Sequence, residues 1–209
     1  MVIDFHTHIF PPWPRDDRRR FLERDATFAE LYADPEANLA TAEELIEAMD
    51  RDGVDESVVM GIGWSDHALA REANDYIIES VARHPDRLSG FCAVNPAWGE
   101  DGLKEVERCA EAGLSGVGEL HADSQRFDIT DEGTMAPLMD TAHRLGLPVL
   151  VHSSEPVGHQ YPGKGKTTPG KLYRFIENFP GNVIICAHWG GGLPFYALMP
   201  EVPEVIKNV

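Results

Sequence analysis

The sequence predicts an α/β protein in which a parallel sheet is covered by helices. Three observations predict it. Short runs that are almost wholly apolar, such as Val58-Val59-Met60 and Val149-Leu150-Val151, recur along the chain, as strands buried on both faces do. Amphipathic helical segments lie between them. The strand beginnings fall near residues 2, 55, 88, 115, 148 and 182, which is the spacing of repeated βα units once a long early insertion is set aside. A closed βα barrel and an open, doubly wound sheet both fit this periodicity. The barrel is favoured, because functional-looking residues gather at the carboxyl ends of several different strands. No G-x-G-x-x-G follows the first strand, as a dinucleotide-binding sheet would want.

The chain begins with an apolar strand that runs into His6-Thr7-His8. From Ile9 to about Ala40 no periodicity is visible. Phe10-Pro11-Pro12-Trp13-Pro14 excludes a regular helix at its start, and a short helix fits around Phe21–Arg24 or Thr27–Tyr32. An insertion of this length is a functional loop or disordered, and its aromatics favour an ordered lid over about residues 10–40. Thr41-Ala42-Glu43-Glu44 is a capping box, with Leu45, Ile46 and Met49 on one helical face and Gly53 as a stop. A buried strand spans Ser57 to Ile62. Ser65 or Asp66 caps the next helix, which carries Leu69, Ala73, Tyr76, Ile77 and Val81. Leu88 to Val94 is a strand, and Leu103, Val106 and Ala110 mark a helix ended by Gly113. Gly116 to Leu120 is a short strand whose glycines allow close packing. Met135, Leu138, Met139 and Ala142 mark a helix stopped by Gly146. The strand ending on His152 follows. Thr168-Pro169 opens a helix with proline in its tolerated first turn, and Pro180-Gly181 closes it. After the strand ending on His188 come three glycines and a helical pattern from Leu193 to Met199. Lys207-Asn208-Val209 reads as the first step of a seventh strand.

Three of these strands end on histidine: His6 and His8, His152, and His188. Strand side chains alternate between faces, so His6 and His8 project to one side. Two imidazoles there offer a bite for a divalent metal. A single such histidine is more often a hydrogen-bonded core residue; three strands with the same ending favour a metal site. Zinc is the first choice, since it accepts imidazole nitrogen and carboxylate oxygen and keeps an open position in catalytic sites.

Composition narrows the partners. A formal charge of −17 argues against nucleic acid, which requires a basic surface, and against anionic membranes. It leaves a small-molecule substrate open. No apolar run reaches the ~20 residues of a membrane span. No signal-peptide pattern opens the chain. Cys92, Cys109 and Cys186 form no C-x-x-C pair, so a reducing cytoplasm is the expected compartment.

His6-Thr7-His8 after an apolar strand, with strand-end histidines at 152 and 188, resembles the amidohydrolase superfamily. The closer likeness is to the amidohydrolase-2 group, which includes aminocarboxymuconate-semialdehyde decarboxylase. His84-Pro85-Asp86-Arg87-Leu88, Phe91 to Pro96 and Ala187-His188-Trp189-Gly190-Gly191-Gly192 support it. The resemblance implies a (β/α)8 TIM barrel, here with about six βα units, and a metal at its carboxyl-end mouth. By match to the motif His6, His8 and His152 would be ligands, with His188 beside the metal as catalytic acid/base or a further ligand. The family also uses an aspartate at the end of strand eight, for which this chain has no counterpart. Many relatives carry a lysine and histidine pair at the fourth strand; here Glu119-Leu120-His121 stands there. Glu119 either joins the metal or pairs with a nearby cation and shapes the pocket.

Trp13, Trp64 and Trp189 enter loops after strand ends and are candidate pocket walls, although packing alone explains such residues about as well. His121 is a candidate partner for a ligand or substrate. The arginines at 15, 18, 19, 20 and 24 either hold a substrate carboxylate or form a solvated, mixed-charge face. Three functions follow: a metal-dependent hydrolase acting on a small cyclic or carboxylated compound, which is the leading expectation; a non-oxidative decarboxylase; and a non-catalytic metal-binding barrel fragment. Six units leave the first and sixth strands unpaired on one side, exposing Val183 and Ile185. Further residues or a second copy, making a homo-oligomer, are expected to cover them.

Overall fold

The structure is a computed structural model and describes residues 1–12 and 18–209. Six strands form one sheet: β1 (Ile3–His8), β2 (Glu56–Met60), β3 (Leu88–Cys92), β4 (Gly116–Leu120), β5 (Val149–Val151) and β6 (Ile184–Cys186). Each is parallel to the next, and spatial order equals chain order. A doubly wound sheet must reverse its order at a switch point. No reversal occurs here, so successive units curl the sheet one way into part of a TIM barrel.

Alternation divides the strand side chains between two cores. Val59, Val117, Val149 and Val151 pack outward against the helices, with Ile77, Val106, Met139 and Phe175. Val58, Met60, Phe91 and Leu150 pack on the other side with Ala187 and the half-buried Ile185. The covering helices are α3 (Ala42–Asp52), α4 (His67–Arg83), α5 (Glu100–Glu111), α7 (Glu132–Leu145) and α8 (Pro169–Asn178). Local chemistry fixes their ends. Thr41 and Glu44 exchange both capping-box bonds, and Gly53 closes α3 in the left-handed region. Asp66 accepts from the Leu69 N–H to cap α4.

The stretch between β1 and α3 is more regular than its sequence suggests. It holds two helices, α1 (Arg18–Arg24) and α2 (Ala26–Tyr32). They share a separate core of Phe10, Phe21, Phe28, Leu39 and Trp64 with Leu69, Ala73 and Ala93. Trp64 is stacked on Phe28 at 5.9 Å and meets Phe10 edge-on at 6.3 Å. At 1 % exposure it is core, not pocket wall. Periodicity could not show this, because α1 and α2 are too short to display a repeat. Asp25 makes the connection polar as well as apolar: its carboxylate accepts from the Ser65 and Asp66 backbone N–H groups at 2.7 and 2.8 Å.

One further expectation changes. Residues Ile206–Asn208 form a 3₁₀ turn, not the start of a seventh strand; a tripeptide carries too little pattern to separate the two. Among the described residues β1 pairs only with β2, and β6 only with β5. Of the run at 183–185 only Ile184 is buried, while Val183 is 57 % exposed and Val2, Ile3 and Phe5 of the opposite edge are also open.

On the outer layer Glu105, 4 % exposed, receives Arg108 in two bonds of 2.7 and 2.8 Å and Asn74 at 2.9 Å. Asn74 in turn holds the Ala93 backbone after β3. Burial raises the Glu105 carboxyl, but the Arg108 and Asn74 bonds outweigh it and leave it below its ordinary value. Such a depressed group stabilises the fold above the unfolded glutamate pKa of about 4.3, and that contribution is lost as pH falls through the folded value. Glu105→Ala is therefore expected to cost about 2–3 kcal/mol at neutral pH in urea unfolding. Its deficit against the unaltered protein should shrink below the carboxylate range; a deficit independent of pH would show that charge plays no part. Trp64→Ala is expected to cost about 3–5 kcal/mol and to speed proteolysis between Arg18 and Tyr32, whereas unchanged cleavage would mean that these helices hold without it.

Candidate active site

Glu119 is the centre of the site. It lies at the carboxyl end of β4, is 4 % exposed, and four imidazoles surround its carboxylate. Oε1 lies 2.9 Å from His152 Nδ1 and 3.6 Å from His188 Nε2. Oε2 lies 3.4 Å from Nε2 of both His6 and His8, whose own Nε2 atoms are 3.1 Å apart. The two histidines of β1 thus reach one point, as their spacing predicts.

Regular alternation does not deliver Glu119 there. It would share the side of Val117, which packs against helices. The pairing of β4 with β5 shifts register between Val117 and Leu120, and that of β1 with β2 shifts between Asp4 and Thr7. Irregular ladders of this kind re-aim side chains. Gly118 permits the local course: its φ is +138°, and an added Cβ would stand 2.5 Å from the Leu150 carbonyl oxygen. His188 sits in another unusual segment. Residues 188 to 191 all have φ between 55° and 60°, so the chain makes one left-handed turn after β6. Two of those residues, His188 and Trp189, are not glycine, and left-handed conformations of this sort cost about 1–2 kcal/mol each and cluster at functional sites.

Burial by itself would raise the Glu119 carboxyl, but the four histidine bonds hold it well below the usual carboxylate range. In the other direction, the Glu119 bond raises the His188 imidazole. Each triad, His6–His8–Glu119 and Glu119–His152–His188, has its donor atoms within 4.8 Å of one another. A buried anion ringed by nitrogen donors suits a divalent cation in charge, donor type and spacing.

His121 supports this group from behind. Its ring stacks on His152 at 4.1 Å, and its Nε2 faces the Gly163 carbonyl at 3.3 Å. Ser124, in the short helix α6 (Ala122–Gln125), meets its Nδ1 at 3.0 Å and donates its hydroxyl to Glu30 of α2. Burial, then the neighbouring His152, lowers the His121 pKa, which keeps this ring neutral. The histidines open onto a cavity of about 310 Å³ lined by Leu31, Tyr32, Tyr161, Pro162 and Gly163 as well as His8, Glu119, His121, His152 and His188. Leu31 lies directly against Gly163, where any Cβ would collide with it. The segment from β1 to α3 and the loop after β5 therefore meet over the carboxyl-end face.

The structure brings together His6, His8, Glu119, His152, His188 and His121. It leaves out Trp64, and Trp13 lies outside the described residues. Trp189 is 80 % exposed and borders a second, open cavity of about 470 Å³ shared with His188, Glu155 and Phe195. No arginine lines the histidine cavity among the described residues: Arg18 bonds the Asp34 and Ala37 carbonyls, Arg19 pairs with Glu23, and Arg24 pairs with Asp66. Sequence reasoning missed Glu30, Tyr32 and Tyr161 as neighbours of the site; no motif marks them, and only the meeting of two loops places them there.

Comparison with known proteins agrees with this geometry. The amidohydrolase family profile matches residues 3–209. A γ-resorcylate decarboxylase of Polaromonas sp. is 29 % identical over 150 residues, 60 % of this chain and 46 % of that protein. The chain thus spans about half the length of the curated relative it matches. Among solved structures, 5-carboxyvanillate decarboxylase from Sphingomonas paucimobilis has a TM-score of 0.75 at 19 % identity, covering 97 % of this chain and 72 % of that one. The corresponding enzyme from Novosphingobium aromaticivorans, solved with bound manganese and 3-methoxy-4-hydroxy-5-nitrobenzoic acid, scores 0.76 at 21 % identity, covering 95 % and 68 %. With the family profile spanning nearly the whole chain and the histidines gathered at the carboxyl ends of parallel strands, this chain belongs to the amidohydrolase family.

Proposed function

We propose that this chain carries the metal-binding site of a non-oxidative decarboxylase acting on a small aromatic carboxylate. The observation that carries the reading is the buried Glu119 carboxylate among four imidazoles. The hydrolase expected first gives way to the decarboxylase, because the curated relative and two of the solved relatives are decarboxylases by name. Zinc was the expected metal; manganese in a solved relative supports a divalent cation without favouring zinc.

His6, His8, His152 and Glu119 are the proposed ligands. A divalent cation held by them would bind and orient the oxygens of the substrate. His188 faces the same cavity and is the proposed proton donor, since an imidazole exchanges a proton near neutral pH. In the step it serves, the ring carbon bearing the carboxylate gains the proton from His188. The carbon–carboxylate bond then breaks, its electron pair stays with the ring, and carbon dioxide leaves. Leu31, Tyr161 and Pro162 line the cavity and would keep water from the protonated ring.

The test is turnover of 2,6-dihydroxybenzoate, of 5-carboxyvanillate and of a small aromatic lactone by manganese-loaded protein, following released carbon dioxide and the uptake of oxygen from isotope-labelled water. Carbon dioxide without labelled product is expected. Labelled product without carbon dioxide would restore the hydrolase, and bound metal with neither product would leave a non-catalytic metal-binding barrel. His188→Asn is expected to cut turnover by about 10²–10⁴ with metal content unchanged. Glu119→Gln is expected to weaken manganese binding by about 100-fold or more in titration calorimetry; unaltered affinity would remove Glu119 from the ligand set.

A further inference from the structure

We infer that Tyr32 is a substrate-contacting and specificity-determining residue, whose hydroxyl donates a hydrogen bond to an oxygen of the aromatic acid in the histidine cavity. The inference rests on the reading above and adds a residue that neither motif nor family likeness marks. Tyr32 ends α2 and lines the cavity with His8, Glu119 and His188. Its ring is fixed on two sides. Phe28 stacks on it at 5.2 Å and Phe10 meets it edge-on at 5.1 Å, while its carbonyl accepts from Arg18. The hydroxyl therefore has little freedom to seek a partner elsewhere.

No partner is present among the described residues: the Tyr32 hydroxyl makes no hydrogen bond there, although most of the side chain is enclosed and the charge of Glu119 acts on it. A tyrosine so placed ordinarily finds an acceptor for its O–H. The other tyrosine of the cavity is already engaged, donating to Glu155 at 2.9 Å. With no lysine or arginine among the described lining residues, the oxygens of an acid bound there have imidazoles, a metal and one uncommitted phenol to meet. A phenol is neutral at working pH and donates without adding charge beside Glu119. The substrate it suits is a small ring carrying a carboxylate and a neighbouring oxygen.

The experiment compares the unaltered protein with Tyr32→Phe, both loaded with manganese, using 2,6-dihydroxybenzoate as the calorimetric probe. Phenylalanine keeps the ring and its packing and deletes only the donor. The expected result is about 10- to 100-fold weaker probe binding, with manganese affinity and thermal midpoint unchanged. Equal probe affinity in the two proteins would overturn the role of Tyr32 and leave the proposed function standing. A parallel loss of manganese affinity and thermal midpoint would make Tyr32 a packing residue and also overturn it. Failure of the unaltered, manganese-loaded protein to bind the probe would sink the substrate class itself, and this inference with it.

Discussion

A carboxylate buried among imidazoles is the constraint on which the rest of the site depends. Removing Glu119 from water is costly unless its charge is met. Here the charge is met by four histidines drawn from β1, from the residue after β5 and from the turn after β6. Those segments are adjacent only because the six parallel strands curl into part of a barrel. The curl of the sheet therefore positions the site. The irregular registers of β1 and β4 are local departures from ideal pairing at the two strands that carry His6, His8 and Glu119.

Around that centre the protein builds a second enclosure from segments with no strand pattern of their own. The aromatic core of Phe10, Phe21, Phe28 and Trp64 anchors α1 and α2 to the start of α4. This anchoring brings Glu30 to Ser124, and Ser124 to His121, whose ring backs His152. A contiguous set of contacts thus joins the covering helices to the histidine cluster. Leu31 against Gly163 brings the second covering loop into the same arrangement. The outer layer follows the same principle: Glu105, Asn74 and Arg108 bury polar groups only as a mutually satisfied set, and they tie α4 and α5 to the chain leaving β3.

Family membership narrows the chemistry without completing it. The amidohydrolase likeness accounts for the order of the histidines along the chain. The relatives that are decarboxylases shift the reading from attack by water on the substrate towards proton delivery to carbon. As the proposed proton donor His188 would suit either chemistry, which is why its presence could not separate them.

The sequence by itself determined the strands, the helices and the residues at the strand ends. Periodicities of two and of about 3.6 are properties of neighbouring residues, so the chain displays them without reference to its fold. The capping box at Thr41, the stops at Gly53 and Gly146, and the shared side of His6 and His8 were legible for that reason. The barrel order was favoured by the strand-end histidines, but it needed the strand neighbours to exclude a doubly wound sheet. Three things were decided only by tertiary structure. Trp64 became core because Phe28 and Phe10 close over it, whereas its sequence neighbours are those of a loop. Tyr32 reached the cavity and Glu30 reached Ser124 because two short helices fold back over the carboxyl-end face, and helices of seven residues carry too few turns to announce a face. Glu119 turned toward the histidines because the β4 ladder breaks register at Gly118, and a register shift leaves no mark in hydrophobic alternation. Contacts between residues far apart in the chain depend on packing geometry, which one-dimensional pattern does not encode.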